Sequence, residues 1–475
     1  MATMFLDLPR VSVPGPPGLP LWGPQLNLVK FFGNPVKTML ELHQSYGEVA
    51  AMTHNHAGWV FAFGAKYNQQ ILSDAQAFHN FAESPVPAPE GSAAAMLNHH
   101  LVSQNAGVHR EKRRLMMPAF SKARLLGYAE RASAVIERVA GGWPRGEVFD
   151  MRRAFFDMSL EVAMSTLFGV DVGSEVQRLS LLSQRFLELI ISPGALLFPF
   201  RVPGTPYARY LVTCEELVGA VEALIATRRR EGLGSDLLSA LVGAEEDGVR
   251  FSEHELVGQV GLMLSASHET TAMSSAWAAL MLALHPEEQE ALIEDIREVV
   301  GDRVATAEDL DRLPRLDRVL NETMRLLPAT PVLFYRRAQR SFRLGDHELP
   351  EGSTVLLSPL LTHREARVFP EPLRFRPDRW RDLEVGPYDY IPFGAGPRRC
   401  IGGGFAWQTV RQILVGALQR GRFEVPERTR VDYRVSGIIM SPKRGMSLRF
   451  AAHESPPRTA RGIDGTLNEL VALAN

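Results

Sequence analysis

The chain has 475 residues, 45% hydrophobic and 22% charged, a balance that suits a globular protein and excludes a disordered, collagen-like or coiled-coil chain. Its 52 basic residues against 54 acidic ones leave a net charge of −2, so no general affinity for nucleic acid follows. Length alone predicts two to four domains at about 100–200 residues each. The two cysteines, Cys214 and Cys400, form no C-x-x-C pair. They argue against a zinc ribbon, a dithiol redox motif and a disulfide framework, and they suit a reducing cytoplasm.

The N-terminus lacks the basic patch, apolar run and small-residue cleavage site of a secretory signal. No segment offers the roughly 18 uninterrupted apolar residues of a membrane span. The nearest, Leu189–Phe200, is short and broken by Pro193. Pro9, Pro14, Pro16, Pro17, Pro20 and Pro24 predict an extended lead-in over the body. Val49–Met52 and Trp59–Phe63 read as a strand hairpin with Thr53–Gly58 as its turn. Helical periodicity then dominates from about Ala106 to Val299, with breaks at Ser192–Pro206 and Glu231–Ser235.

One helix is especially well marked. Ser252 and Glu255 form a capping box, and apolar residues run on to Leu284 before Pro286 stops them. Leu256–Leu284 as one helix spans roughly 43 Å, and its composition predicts burial on most sides. A polar interruption, Ser265–Thr271, sits at its middle. Beyond it come more helices, a strand-rich stretch (Phe342–Leu357) and a proline-rich segment (Thr362–Pro397). A helix over Phe405–Arg420 ends at Gly421 as a C-cap, and Gly445–Phe450 reads as a strand. The expected fold is mainly α with small β-sheets.

Cys400 lies in the glycine-rich run Phe393–Phe405, just before a helix. A helix N-terminus, backbone N–H groups and the cations Arg398 and Arg399 all favour its thiolate, which predicts a lowered pKa. Such a group can be a nucleophile, a single metal ligand, or a small packed core residue. Phe393, Gly396, Arg398, Cys400 and Gly402 match F-x-x-G-x-R-x-C-x-G, the haem loop of the cytochrome P450 family, which this sequence resembles from about Pro14 to Phe450.

The resemblance implies haem b with Cys400 as axial thiolate. Phe393 would shield the proximal side, Gly396 would permit the tight loop, and Arg398 would pair with a propionate. His109 and Arg113, at i and i+4 of one helix face, match the family's propionate-binding pair, and Arg336 another such arginine. Glu322–Arg325 is an E-x-x-R; with Arg379 of Pro377–Trp380 it would form a structural lock. Ala266–Thr270 resembles the opened stretch of the family's central helix, where Thr270 and Glu269 would manage proton delivery to bound oxygen. Ser267 departs from the family's glycine there, and His268 falls at an unspecified position.

The resemblance implies an apolar substrate pocket lined by the regions Phe81–Ser103, Leu189–Pro206, Ala329–Phe334 and Gly437–Met440, with Val332, Leu333, Phe334, Ile438 and Ile439 from them and Ala266 from the central helix. No flavin, nicotinamide or iron–sulfur motif is recognisable. Electrons are therefore expected from a ferredoxin or flavodoxin with its NAD(P)H reductase, docked on the basic run Arg110–Arg124. The resemblance implies a monooxygenase that uses O2 on a hydrophobic small molecule by hydroxylation or epoxidation. Alternatives are a haem-thiolate isomerase or dehydratase, a haem-binding sensor, and a haem-free cysteine hydrolase. The resemblance implies one domain over residues 1–453, with a disordered tail at 454–475.

Overall fold

The computed structural model describes residues 10–18, 25–80, 86–170, 173–190, 192–455 and 462–473. Pro9, Pro20 and Pro24, and residues 81–85 of the expected pocket loop, lie outside them. The described lead-in packs along the first hairpin: the Ala51 amide donates to the Pro14 carbonyl (2.7 Å) and the His54 amide to that of Pro16 (2.8 Å). A Cβ on Gly15 would stand 2.4 Å from the Ala51 carbonyl oxygen, so only glycine allows that approach.

The expected hairpin is present as Val49–Ala51 paired antiparallel with Trp59–Ala62. Its second strand lies parallel to Thr354–Leu357, which continues antiparallel to Arg336–Ala338 and then to Phe78–His79. This sheet has its own apolar core of Val60, Ile71, Leu344, Val355 and their neighbours. It fixes the backbone of Arg336 opposite Val355.

A second, larger core surrounds the helix Glu269–Leu284, buried at every residue from Thr271 to Leu284. A helix that is apolar all round finds its place only at a centre. Helices Met151–Leu167, Pro314–Leu326 and Gly403–Leu418 pack around it. The Trp277 indole, fully buried, donates to the Met440 carbonyl at 3.2 Å.

Three expectations are corrected. The long helix is two helices, Glu253–Ala266 and Glu269–Leu284, interrupted at Ser267–His268. Around the break the Ser265, Thr270 and Thr271 hydroxyls bond back to the carbonyls of Gly261, Ala266 and Ser267, at 3.0, 3.3 and 3.5 Å. The His268 ring bonds the Leu264 carbonyl. Four side chains over two turns thus bond to helix carbonyls, and His268 takes the one that its own N–H would meet in an unbroken helix.

The second correction concerns Gly421. The last helix spans Gly403–Leu418 with Gln419 as its C-cap, and Gly421 is needed for packing instead. A Cβ there would meet the Ala451 carbonyl oxygen at 2.5 Å.

Third, the tail is not disordered over residues 462–473. Ile463, Leu467, Leu470 and Val471 are buried. The Ala472 amide donates to the Leu373 carbonyl, and Arg364 Nη2 to that of Leu470 (3.0 Å). Apolar residues this sparse show no periodicity, yet the body offers them a seat. Among the described residues no helix is long and apolar enough to cross a membrane.

Candidate functional site

The Cys400 loop is built by close backbone approach. Gly396 has φ +67, and a Cβ on it would lie 2.1 Å from the Leu72 carbonyl oxygen. No other residue tolerates both constraints. The Cys400 amide donates to the Phe393 carbonyl at 2.9 Å, closing the loop, and the Phe393 ring lies against Gly403. Gly402 is less constrained sterically; its backbone N–H bonds the Cys400 sulfur.

Cys400 is exposed, although burial is the largest influence on its thiol: the group is sheltered from bulk water yet open on one side. Burial raises its pKa against the pull of the Gly402 amide, Arg113 and Arg399. The expected lowering is therefore overturned, because burial outweighs the amide and the two cations. A thiolate there depends on coordination, which deprotonates a thiol outright. Cys214, by contrast, sits wholly buried on the helix Pro206–Glu231, its pKa pushed up to about 12 by burial.

His109, Arg113, Arg336 and Arg398, from three separate elements, are brought into one electrostatic neighbourhood. Burial, then repulsion from the three arginines, pushes His109 down to about 3, so it is neutral. Burial and Arg398 push Arg336 down to about 9; burial and Arg113 push Arg398 down to about 10.

None of these arginines has an ion-pair partner among the described residues. Arg398 donates instead to the Gln104 carbonyl and Asn105 Oδ1 (both 2.5 Å), and Arg336 to the Phe334 carbonyl (2.6 Å). Buried cations without acids call for anions. The two propionates of haem fit that demand. Among the described residues no cluster of His, Cys, Asp or Glu could hold a bare metal ion, whereas haem brings its own nitrogens and needs one thiolate.

On the broken helix, Ala266 is exposed while Ser265 and His268 are buried, so this face of the break fronts open space. Thr270 is half-buried beside it. Burial raises the pKa of Glu269; Arg434 and Arg152 oppose that, and Glu188 adds to it. His268 packs edge-on to Phe156 at 5.2 Å and is pushed down to about 4 by burial. The Ser267 hydroxyl is buried with no hydrogen-bond partner.

The lock is fully formed. Arg325 Nε and Nη2 each donate to a Glu322 carboxylate oxygen at 2.8 Å, with both side chains wholly buried. Arg379 Nε donates to Glu322 Oε1 at 3.0 Å, and so does the Arg376 amide at 2.9 Å. Sequence reasoning missed Trp380, whose indole N–H donates to Glu322 Oε2 at 2.9 Å. No local signal marks it, because its partner lies on a distant helix.

Other expected residues divide. Val332 joins the main core and Phe334 is exposed, but Leu333 turns to the sheet core and leaves the pocket set, as alternation along an extended chain requires. Ile438 and Ile439 are half-buried. The basic run is also thinner than expected. Lys112 is buried against Glu255 (3.0 Å), Arg113 belongs to the cation cluster, and Arg114 pairs with Glu246 at 2.8 Å. Arg110 and Lys122 remain exposed on this run, with Arg399 exposed beside Cys400.

The profile of the family described as Cytochrome P450 matches residues 13–449. This chain belongs to the cytochrome P450 family. It is 30% identical over 445 residues to cyclooctatin synthase of Streptomyces melanosporofaciens, covering 91% of this chain and 92% of that protein. It is 31% identical over 355 residues to pentalenene oxygenase of Streptomyces avermitilis, covering 72% and 78%. Among solved structures, retinoic acid-bound cyanobacterial CYP120A1 superposes with a TM-score of 0.79 at 23% identity, over 94% of this chain and all of that one. The fold is thus that of a P450, the cofactor is cysteine-ligated haem, and the activity is that of a haem monooxygenase.

Proposed function

We propose that the Cys400 thiolate would ligate haem b and that Arg113, Arg336, Arg398 and neutral His109 would hold its propionates. The observation that carries this reading is the acid-free cation cluster beside an open, sheltered thiol. Phe393 and Gly396 shape the ligand loop, and the Gly402 amide donates to its sulfur. Haem held by these residues would supply the chemistry of O2 activation, in which one oxygen atom would enter a C–H or C=C bond of the substrate and the other would leave as water, at a cost of two electrons and two protons.

The chain's own residues manage the protons. Thr270, its hydroxyl resting on the Ala266 carbonyl, is free to turn into the open space at the break. Glu269, between Arg152 and Arg434, takes a proton from the outside and returns it to Thr270. This pair favours oxygen chemistry over a haem-thiolate isomerase, dehydratase or sensor, none of which needs it.

The substrate is a hydrophobic small molecule, met by Ala266, Val332, Phe334, Ile438 and Ile439. The names of the relatives favour a cyclic hydrocarbon of the pentalenene kind. Electrons come from an acidic ferredoxin or flavodoxin with its NAD(P)H reductase, docked through Arg110, Lys122 and Arg399. The two unpaired thiols favour the cytoplasm, and one haem-binding body built from the described residues accounts for both cores.

The test is the spectrum of reduced protein with carbon monoxide. A strongly red-shifted Soret band that disappears in Cys400→Ser is the expected result. A protein that binds no haem, or a band that survives the substitution, overturns the assignment.

A further inference from the structure

His363 takes no part in the haem pocket, yet it is wholly buried and engaged on both sides. Its carbonyl accepts from Arg325 Nη1 at 3.0 Å, so its backbone is held by the lock. Its ring Nε2 accepts from the Ile391 amide at 2.8 Å. Ile391 opens the cysteine loop: its carbonyl accepts from the Gly394 amide (3.0 Å), and Phe393 then accepts from Cys400.

Flanking contacts fix the ring's plane. The Tyr390 ring lies 5.0 Å from it, and the Tyr390 hydroxyl donates to Asn321 at 3.1 Å. Trp380 lies 4.7 Å from Tyr390 and returns to Glu322. Glu322, Arg325, His363, Tyr390 and Trp380 therefore close a ring of contacts around the segment that leads into the cysteine loop.

We propose that His363 is a positioning residue that transmits the Glu322–Arg325 lock to the Cys400 loop through its hydrogen bond to the Ile391 amide, setting the placement of the thiolate. The bond requires an unprotonated Nε2. Burial beside Arg325 and Arg364 keeps the imidazole neutral, pushing it down to about 3, and acceptance from the Ile391 amide selects the tautomer with its proton on Nδ1. The alternative, a histidine that merely fills space, predicts a loss of stability without a change at the sulfur. This inference rests on Cys400 being the haem ligand.

The experiment compares wild type, His363→Phe and His363→Gln. Phenylalanine keeps a ring but has no acceptor, whereas glutamine places an amide oxygen close to the position of Nε2. Three readouts are taken on haem-loaded protein: the reduced carbon monoxide spectrum, the rate of haem transfer to apomyoglobin, and thermal stability. His363→Phe is expected to lose haem about tenfold faster, the lower end of what supporting residues of a metal site contribute. Part of its spectrum should also move to the thiol-ligated form. His363→Gln should restore both.

A folded His363→Phe with wild-type spectrum and haem retention overturns the proposal, as does a glutamine variant no better than phenylalanine. If His363→Phe does not fold, the glutamine variant decides alone: wild-type spectrum and retention support the role, and a shifted spectrum overturns it. Failure of the ligand assignment is distinguishable, since wild type itself would then lack the red-shifted band.

Discussion

Glu322 sits on the helix Pro314–Leu326 and Ser267 at the break between two helices, and their surroundings are opposites. Glu322 accepts from Arg325 Nε and Nη2, the Arg376 amide, Arg379 Nε and Trp380 Nε1. The Ser267 hydroxyl is buried with no partner among the described residues, beside a Thr270 hydroxyl bonded across the break to the Ala266 carbonyl and a Glu269 carboxyl raised by burial. The first region is saturated and the second is deliberately incomplete in its bonding. A buried polar network that is fully satisfied specifies one geometry. A ligand loop needs that. Groups that must exchange protons cannot be saturated, because each must be able to take a new partner during the cycle.

The comparison can be broken in several places. Cys400→Ser has the largest expected effect, complete loss of the red-shifted carbon monoxide band and of product, while Cys214→Ser should leave both unchanged. Glu322→Ala strands buried Arg325 and Arg379 and should cost about 3–5 kcal/mol in denaturant unfolding, with haem uptake lost in parallel. A mild effect would mean that the lock is not the saturated element.

Thr270→Ala should leave the band and the stability in place while coupled product falls about a hundredfold and peroxide rises. Full coupling would sink the relay. Trp380→Phe removes one donor of several and should cost about 1–3 kcal/mol with the spectrum unchanged. The smallest effect is expected from Arg110→Glu with Lys122→Glu, seen as slower reduction by an acidic partner at low salt and little difference at high salt.

Much of the site was legible because its chemistry is local. Cys400, Gly396 and Arg398 fall within five residues of one another, and Glu322 and Arg325 share one helix turn. The capping box at Ser252 and Glu255 formed as read, with Ser252 accepting the Glu255 amide at 3.3 Å. What was missed is long-range. Trp380 and His363 act on partners 58 and 28 residues away. Lys112 looked like part of a solvated charge run until Glu255 was brought beside it. The apolar pattern alone reads as one helix through Ser267–His268, and the split falls inside the Ala266–Thr270 stretch that the resemblance marked as opened.

By itself the sequence determined the class of chemistry, one thiol set in a glycine loop, with cations and a Glu–Thr pair in a fixed order. These are choices of residue type, and residue type sets what a group can donate, accept or ligate. Only the tertiary structure decided their balance. Burial turned the Cys400 thiol from easily ionised to reluctant, gathered arginines from three elements around no acid, and seated the tail against Leu373 and Arg364. Desolvation and long-range charge depend on what surrounds a group in space, and spacing along a chain carries neither.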